Sequence, residues 1–212
     1  MLNDIQKHIL EMVADLKGTG EGAINIRSDG QKAFRRNTEN IAITSMRPLG
    51  KDKKPKMFQG CVKGVSPDIH IASSEADSLE YLNKVLKKLT DEKYEDIVIL
   101  TCTTEDQSWL SAHCVNGSYP FNNRQIKFTS CRKFKGLEAD AIVLIDVTRN
   151  TFDVGGNNLV FYVGASRARF RLSIIVNMND DECRFVSEIL GNTLQGKPPK
   201  KMLAASLNAL LQ

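Results

Sequence analysis

Three short, unbroken apolar runs constrain this chain more than any other feature: Asp96–Leu100 (DIVIL), residues 141–146 (AIVLID) and residues 172–176 (LSIIV). A strand wet on one face alternates apolar with polar residues; these runs do not alternate. They read as strands covered on both faces, which is the habit of a parallel sheet. Ile69–Ala72 reads as a further short strand. Ser74 with Asp77 resembles a capping-box start, and behind it Leu79, Leu82, Val85, Leu86 and Leu89 fall on one helical face, with Lys84, Lys87 and Lys88 off it. Strands alternating with helices predict an α/β layered fold.

The 212 residues suffice to bury a large core without disulfide or metal staples. With 42% hydrophobic and 25% charged residues the composition is that of an ordinary soluble protein. No stretch approaches the 18 or so apolar residues of a membrane span, and the first residues, MLNDIQKHILEMVADL, carry acids where a signal peptide would be basic and then apolar. Five cysteines, an odd number without a CxxC pair, predict free thiols in a reducing compartment, hence a cytoplasmic protein. His8, His70 and His113 lie far apart, so no metal site is expected. A net charge of +4 permits nucleic-acid binding but does not by itself argue for it.

Apolar residues at 2, 5, 9, 12, 13 and 16 predict an N-terminal helix, followed by a Gly-rich, then basic, stretch. Residues 38–45 open a further short helix, with Thr38 or Asn37 as its cap, and 46–68 read as an irregular connection. Pro198 to Leu211 reads as a basic start and an Ala/Leu helix. The expected division is residues 1–23 as a helix and loop, 24–195 as the main domain, and 196–212 as the tail.

Neither GxxxxGK[ST] nor a strand followed by GxGxxG occurs, and no Ser/His/Asp or Cys/His set is visible. Two segments stand out. In TSCRKFKGLEADAIVLIDV (129–147), Gly136 lets the backbone approach an anion closely, and Glu138 could accept from a sugar hydroxyl; a solvated surface turn is the alternative. In YVGASRARFRL (162–172), Leu159, Tyr162, Val163 and Ser166 share a helical face, which puts Arg167 near that helix's C-terminus. There it either complements the helix dipole or aims a guanidinium at a phosphate.

Together the segments resemble superfamily 1 helicases of the UvrD/Rep type. KGLE before an apolar strand is similar to their motif V, and YVGASRAR before RLSIIV to their motif VI. More weakly, 69–110 resembles the motif IVa region and FRRNTENIA (34–42) motif IV. The resemblance implies a RecA-like (P-loop NTPase-like) three-layer α/β lobe with a mostly parallel sheet, lacking the phosphate loop: the second of two motor lobes. It implies ATP with Mg2+ as cofactor, shared with an N-terminal lobe in cis or a partner in trans. Arg167 would then be the arginine finger. Gly136 would lie near the γ-phosphate, Glu138 near the ribose, and Arg36 would be a second γ-phosphate contact. Thr101, Thr103, Thr129, Ser130, Arg132 and Lys133 would face single-stranded nucleic acid, DNA being favoured. Two positions depart from the pattern: Arg132 stands where the family often has histidine, and Phe34 where motif IV has asparagine. The rival expectation is a binding module derived from such a lobe, without ATPase activity.

Overall fold

The computed structural model describes residues 33–34, 37–49, 56–57, 61–153, 157–191 and 198–208 of the chain. Arg36 and the predicted N-terminal helix within residues 1–23 lie outside the described residues. The elements in chain order are β1 (Ala33–Phe34), α1 (Glu39–Met46), β2 (Lys56–Met57), β3 (Asp68–Ala72), α2 (Glu75–Asp91), β4 (Ile97–Thr101), β5 (Ser118–Phe121), β6 (Arg124–Ser130), β7 (Ala139–Val147), α3 (Asn157–Ala165), β8 (Ala168–Asn177), α4 (Asp180–Ile189) and α5 (Pro199–Leu207).

β1 and β2 form a short parallel pair. The main sheet has six strands in the order β3-β8-β7-β4-β6-β5, and all are parallel except β5, which pairs antiparallel with β6. The three apolar runs become β4, β7 and β8 at the sheet centre, flanked by strands on both sides. Alternation divides their side chains between two cores. Val98, Leu100, Ile142, Leu144, Leu172 and Ile174 meet one set of helices: α1 through Ile41, α3 through Val160 and Phe161, α4 through Cys183 and Val186, and α5 through Leu203 and Leu207. Ile97, Ile99, Val143, Ile145 and Ile175 meet the opposite core, which α2 covers with Leu82, Val85, Leu86 and Leu89. The result is a three-layer α/β fold.

The start of α2 is the one expected: the Ser74 hydroxyl accepts from the Asp77 N–H at 3.1 Å. That cap contributes about 1 kcal/mol, whereas each of the four buried Leu and Val side chains contributes about 1.5–3 kcal/mol, so burial holds the helix in place. α1 starts after the expected cap residue but is capped differently. Thr38 occupies the cap position without a side-chain cap bond, and the first helical N–H groups of Glu39 and Asn40 donate instead to the carbonyls of Val62 and Lys63. α3 is rotated relative to the expected face: Val160, Phe161 and Ala165 are buried, while Leu159, Tyr162, Val163 and Ser166 are only partly covered.

Gly164 explains how closely α3 lies on the sheet. A Cβ added there would come within 2.5 Å of Cys131 Sγ and 2.7 Å of Leu144 Cδ1. Gly164→Ala should therefore cost about 1–3 kcal/mol through overpacking. Urea denaturation would show a lower midpoint with an unchanged slope; an unchanged midpoint would mean that the helix can shift without cost.

Candidate functional site

Because β4, β6, β7 and β8 run parallel, their beginnings share one edge of the sheet and their ends share the other. The residues singled out in the sequence divide between these edges.

Gly136, Glu138 and Arg167 gather at the beginning edge. Ala139 opens β7 opposite Ala168, the first residue of β8, and the Ala139 N–H donates to the Arg167 carbonyl at 3.1 Å. Glu138 and Arg167 are thus the residues immediately before two paired strands. Gly136 has φ +86°, a conformation that favours glycine, and a Cβ there would meet nothing within 4 Å. Its backbone faces open space. Arg167 follows the end of α3, whose last carbonyls already have partners: Ser166 N–H on Tyr162, Ser166 Oγ on Val163, and Arg167 N–H on Gly164. The Arg167 backbone N–H therefore takes part in closing the helix. The guanidinium charge acts on the Tyr162 hydroxyl, whose pKa burial raises and Arg167 lowers, with a net rise.

The turn that carries Arg167 is clamped from a distance. The Asn37 side-chain amide donates to the carbonyls of Ser166 at 2.7 Å and Ala168 at 2.6 Å, the two residues flanking Arg167. Asn37 is buried, so the motif IV-like segment reaches this site through Asn37. The other two arginines of the stretch have different partners. Arg169 pairs with Asp140 at 3.1 Å on the surface. Arg171 is buried on the α2 face between Glu92 at 3.4 Å and Asp68 at 3.6 Å. A three-residue step in β8 against a two-residue step in β7 separates the pairs 139/168 and 141/171, a bulge that leaves Arg169 and Phe170 exposed.

The opposite edge holds Thr101, Thr103, Thr129, Ser130, Arg132 and Lys133. Thr101 is fully buried, and its hydroxyl donates to Asp146 Oδ2 at 2.6 Å. That takes its side chain out of reach of a bound strand and makes it part of the scaffold. Ser108 donates to the same oxygen at 2.6 Å. Asp146 sits in the second bulge of the β7–β8 pair with φ +57°, a conformation that Asp tolerates better than most residues. Burial pushes its carboxyl above the ordinary value, against the two hydroxyl donors and the Trp109 backbone. The Thr103 hydroxyl donates to Gln107 at 3.1 Å.

Glu105 organises the rest of this edge. It accepts from the Thr129 hydroxyl and the Ser130 N–H, each at 2.9 Å, and pairs with Lys133 at 2.9 Å. Burial raises its pKa, and Lys133, the Ser130 N–H and the Thr129 hydroxyl outweigh that effect, holding it down to about 2. The Ser130 side chain is buried, whereas Arg132 and Lys133 are exposed. From here residues 131–138 run to the first edge, pinned by buried Cys131 and Phe134. One short connection therefore joins Lys133 to Gly136. Cys102 and Cys131 lie side by side near its start as free thiols; their mutual hydrogen bond and burial raise the Cys102 pKa well above the ordinary value.

Three organising residues escaped the sequence reading. In sequence Asn37 reads only as a candidate helix cap, and Glu105 and Asp146 lie inside segments marked by other residues. A signal is present for Glu105, one of two adjacent acids in a hydroxyl-rich loop; Asn37 has none, because its partners lie some 130 positions away.

The fold has known counterparts. It is similar to the crystal structure of the C-terminal domain of a possible DNA helicase from Lactobacillus plantarum WCFS1, with a TM-score of 0.50 and 15% identity, covering 67% of this chain and 86% of that one. A weaker likeness, TM-score 0.32 at 13% identity, relates 75% of the chain to 25% of the PRRSV nsp10 helicase. No protein-family model matches the sequence, and no curated protein matches it. The chain thus has the α/β fold of a helicase C-terminal domain. Among the described residues no helix is long and apolar enough to cross a membrane, and no cluster of three or more His, Cys, Asp or Glu could hold a metal ion.

Two outcomes follow from the site's bonding. Asn37→Ala strands two carbonyls beside Arg167 and should destabilise the fold by about 1–3 kcal/mol; Asn37→Asp, facing the same carbonyls with a carboxylate, should do at least as much harm. Chemical denaturation of the two variants checks this, and full stability in both would refute the clamp. For Glu105 the folded pKa of about 2 lies below the ordinary value of 4.5, so its stabilisation is complete above the unfolded value and is lost as pH falls through that window. The wild type should lose stability between pH 4.5 and 2 more steeply than Glu105→Gln, read from thermal midpoints across pH.

Proposed function

We propose that this chain is the second motor lobe of an ATP-dependent helicase of superfamily 1. One observation carries the reading: the β7–β8 pairing brings the open glycine turn at Gly136, Glu138 and Arg167 to a single sheet edge. These residues suit part of what a nucleoside triphosphate requires. A backbone beside open space admits a phosphate oxygen. A carboxylate accepts from ribose hydroxyls. A guanidinium neutralises phosphate charge in a fork geometry. In this reading a phosphate loop and the Mg2+ ligands come from another lobe, in cis or in trans. ATP with Mg2+ supplies the phosphoryl group whose transfer drives the cycle.

Within this proposal Arg167 acts as the arginine finger. It is set by the end of α3, the Ala139 bond and the Asn37 clamp, so that little reorganisation remains when charge develops on the transferring phosphoryl group. Arg36, immediately before that clamp in sequence, is proposed as a further phosphate contact. The opposite edge is proposed to hold single-stranded DNA through phosphates: Arg132 and Lys133 by charge, and Thr103, Thr129 and the Ser130 backbone by hydrogen bonds. Thr101 acts indirectly, by fixing the end of β4.

The test is steady-state ATPase activity in the two-lobed enzyme, with the chain alone as control. The chain alone should hydrolyse no ATP. In the two-lobed enzyme Arg167→Ala should lower kcat by about 10³-fold or more, with single-strand affinity within about twofold. ATPase activity by the isolated chain that survives Arg167→Ala would overturn the proposal. Loss of folding in Arg167→Ala would return the arginine to a helix-capping role.

A further inference from the structure

Three donors of different kinds converge on the Glu105 carboxylate: the Thr129 hydroxyl, the Ser130 backbone N–H and the Lys133 ammonium. They come from the end of β6 and the turn after it, whereas Glu105 comes from the separate 3-10 turn at Glu105–Gln107. Hydroxyl, backbone N–H and ammonium are the groups that proteins use to hold a nucleic-acid phosphate. A carboxylate offers two acceptor oxygens and one negative charge, as a phosphodiester does. Here the two carboxylate oxygens take all three donors, with Oε1 accepting from Thr129 and Ser130 and Oε2 facing Lys133.

We infer that Thr129, Ser130 and Lys133 form a backbone-phosphate site and that Glu105 occupies it as an internal stand-in, which a bound strand displaces. This rests on the nucleic-acid reading of that edge and adds a regulation to it. The arrangement allows the exchange. Lys133 is 72% exposed and Glu105 27%, so phosphate can approach from solvent. Arg132 is exposed on the same turn and adds attraction. Because the carboxyl is held down to about 2, protonation does not release it near neutral pH; only a competing anion does. The same turn leads directly to Gly136, so displacing Glu105 frees the start of the connection that ends at the proposed nucleotide edge.

The experiment measures affinity of the full chain for a fluorescent oligo(dT) strand by anisotropy across salt. The variants are wild type, Glu105→Gln, Asp106→Asn and Lys133→Ala. Asp106 is exposed in the same turn and changes the net charge equally. Glu105→Gln should bind about tenfold tighter than both wild type and Asp106→Asn, with a salt slope steeper by about 0.7, because in the wild type the released Glu105 carboxylate takes up a cation that offsets the one freed at the phosphate. Lys133→Ala should bind more weakly than wild type. If Glu105→Gln and Asp106→Asn behave alike while Lys133→Ala weakens binding, the nucleic-acid reading stands and the stand-in is overturned. Weaker binding by Glu105→Gln also overturns it, since Glu105 would then merely position its donors. No binding by any variant overturns both. Should Glu105→Gln fail to fold, the wild-type Ser130 amide resonance decides: saturating oligo(dT) must shift it, and an unmoved resonance refutes displacement.

Discussion

The pairing of β7 with β8 is the constraint on which the rest of this molecule depends. It joins two of the apolar runs at the sheet centre and places the residues before them, Glu138 and Arg167, side by side. Its two bulges lie at opposite ends, one exposing Arg169 and Phe170 and the other turning Asp146 toward Thr101 and Ser108. A regular ladder would set all of these side chains by simple alternation. The irregular one re-aims them just where the two edges carry polar groups, while buried Ile and Leu hold the middle rigid.

Three arginines alternating along one stretch acquire three separate tasks from this geometry. Arg171 lies in the strand proper, so alternation sends it into the α2 face. A buried guanidinium without partners would be costly, and Glu92 and Asp68 supply them. Arg169, in the bulge, reaches a surface acid. Arg167 precedes the strand, where its backbone N–H closes a helix and its carbonyl accepts from Ala139 at the start of β7. Sequence spacing could not separate these roles, because they follow from strand register and not from residue type.

The central strands, α2 and its cap were legible because burial on two faces and 3.6-residue periodicity leave direct marks in sequence. The β5–β6 hairpin was not read: Ser118–Phe121 is short, and Arg124–Ser130 alternates weakly around charged residues. The face of α3 was misjudged because nearly every residue of that helix is apolar or small, which gives periodicity little contrast. At the site, glycine and arginine positions were visible as chemistry, but the Asn37 clamp and the Glu105 network join residues far apart in the chain. Such contacts leave no local pattern. Thr101 illustrates the opposite error, a hydroxyl at a strand end that looked available and is committed to Asp146.

The two edges are joined by residues 131–138, anchored at Cys131 and Phe134 and open at Lys133 and Gly136. Under the proposed function this connection is the shortest route by which strand binding at one edge is felt at the other. The most direct test of the account is a crystal structure of this chain joined to a phosphate-loop lobe, with a non-hydrolysable ATP analogue and Mg2+. The account predicts the Arg167 guanidinium within hydrogen-bond distance of the γ-phosphate and the Gly136 backbone beside the nucleotide. A nucleotide bound between the lobes with the β7–β8 beginning edge turned away from it would contradict the account.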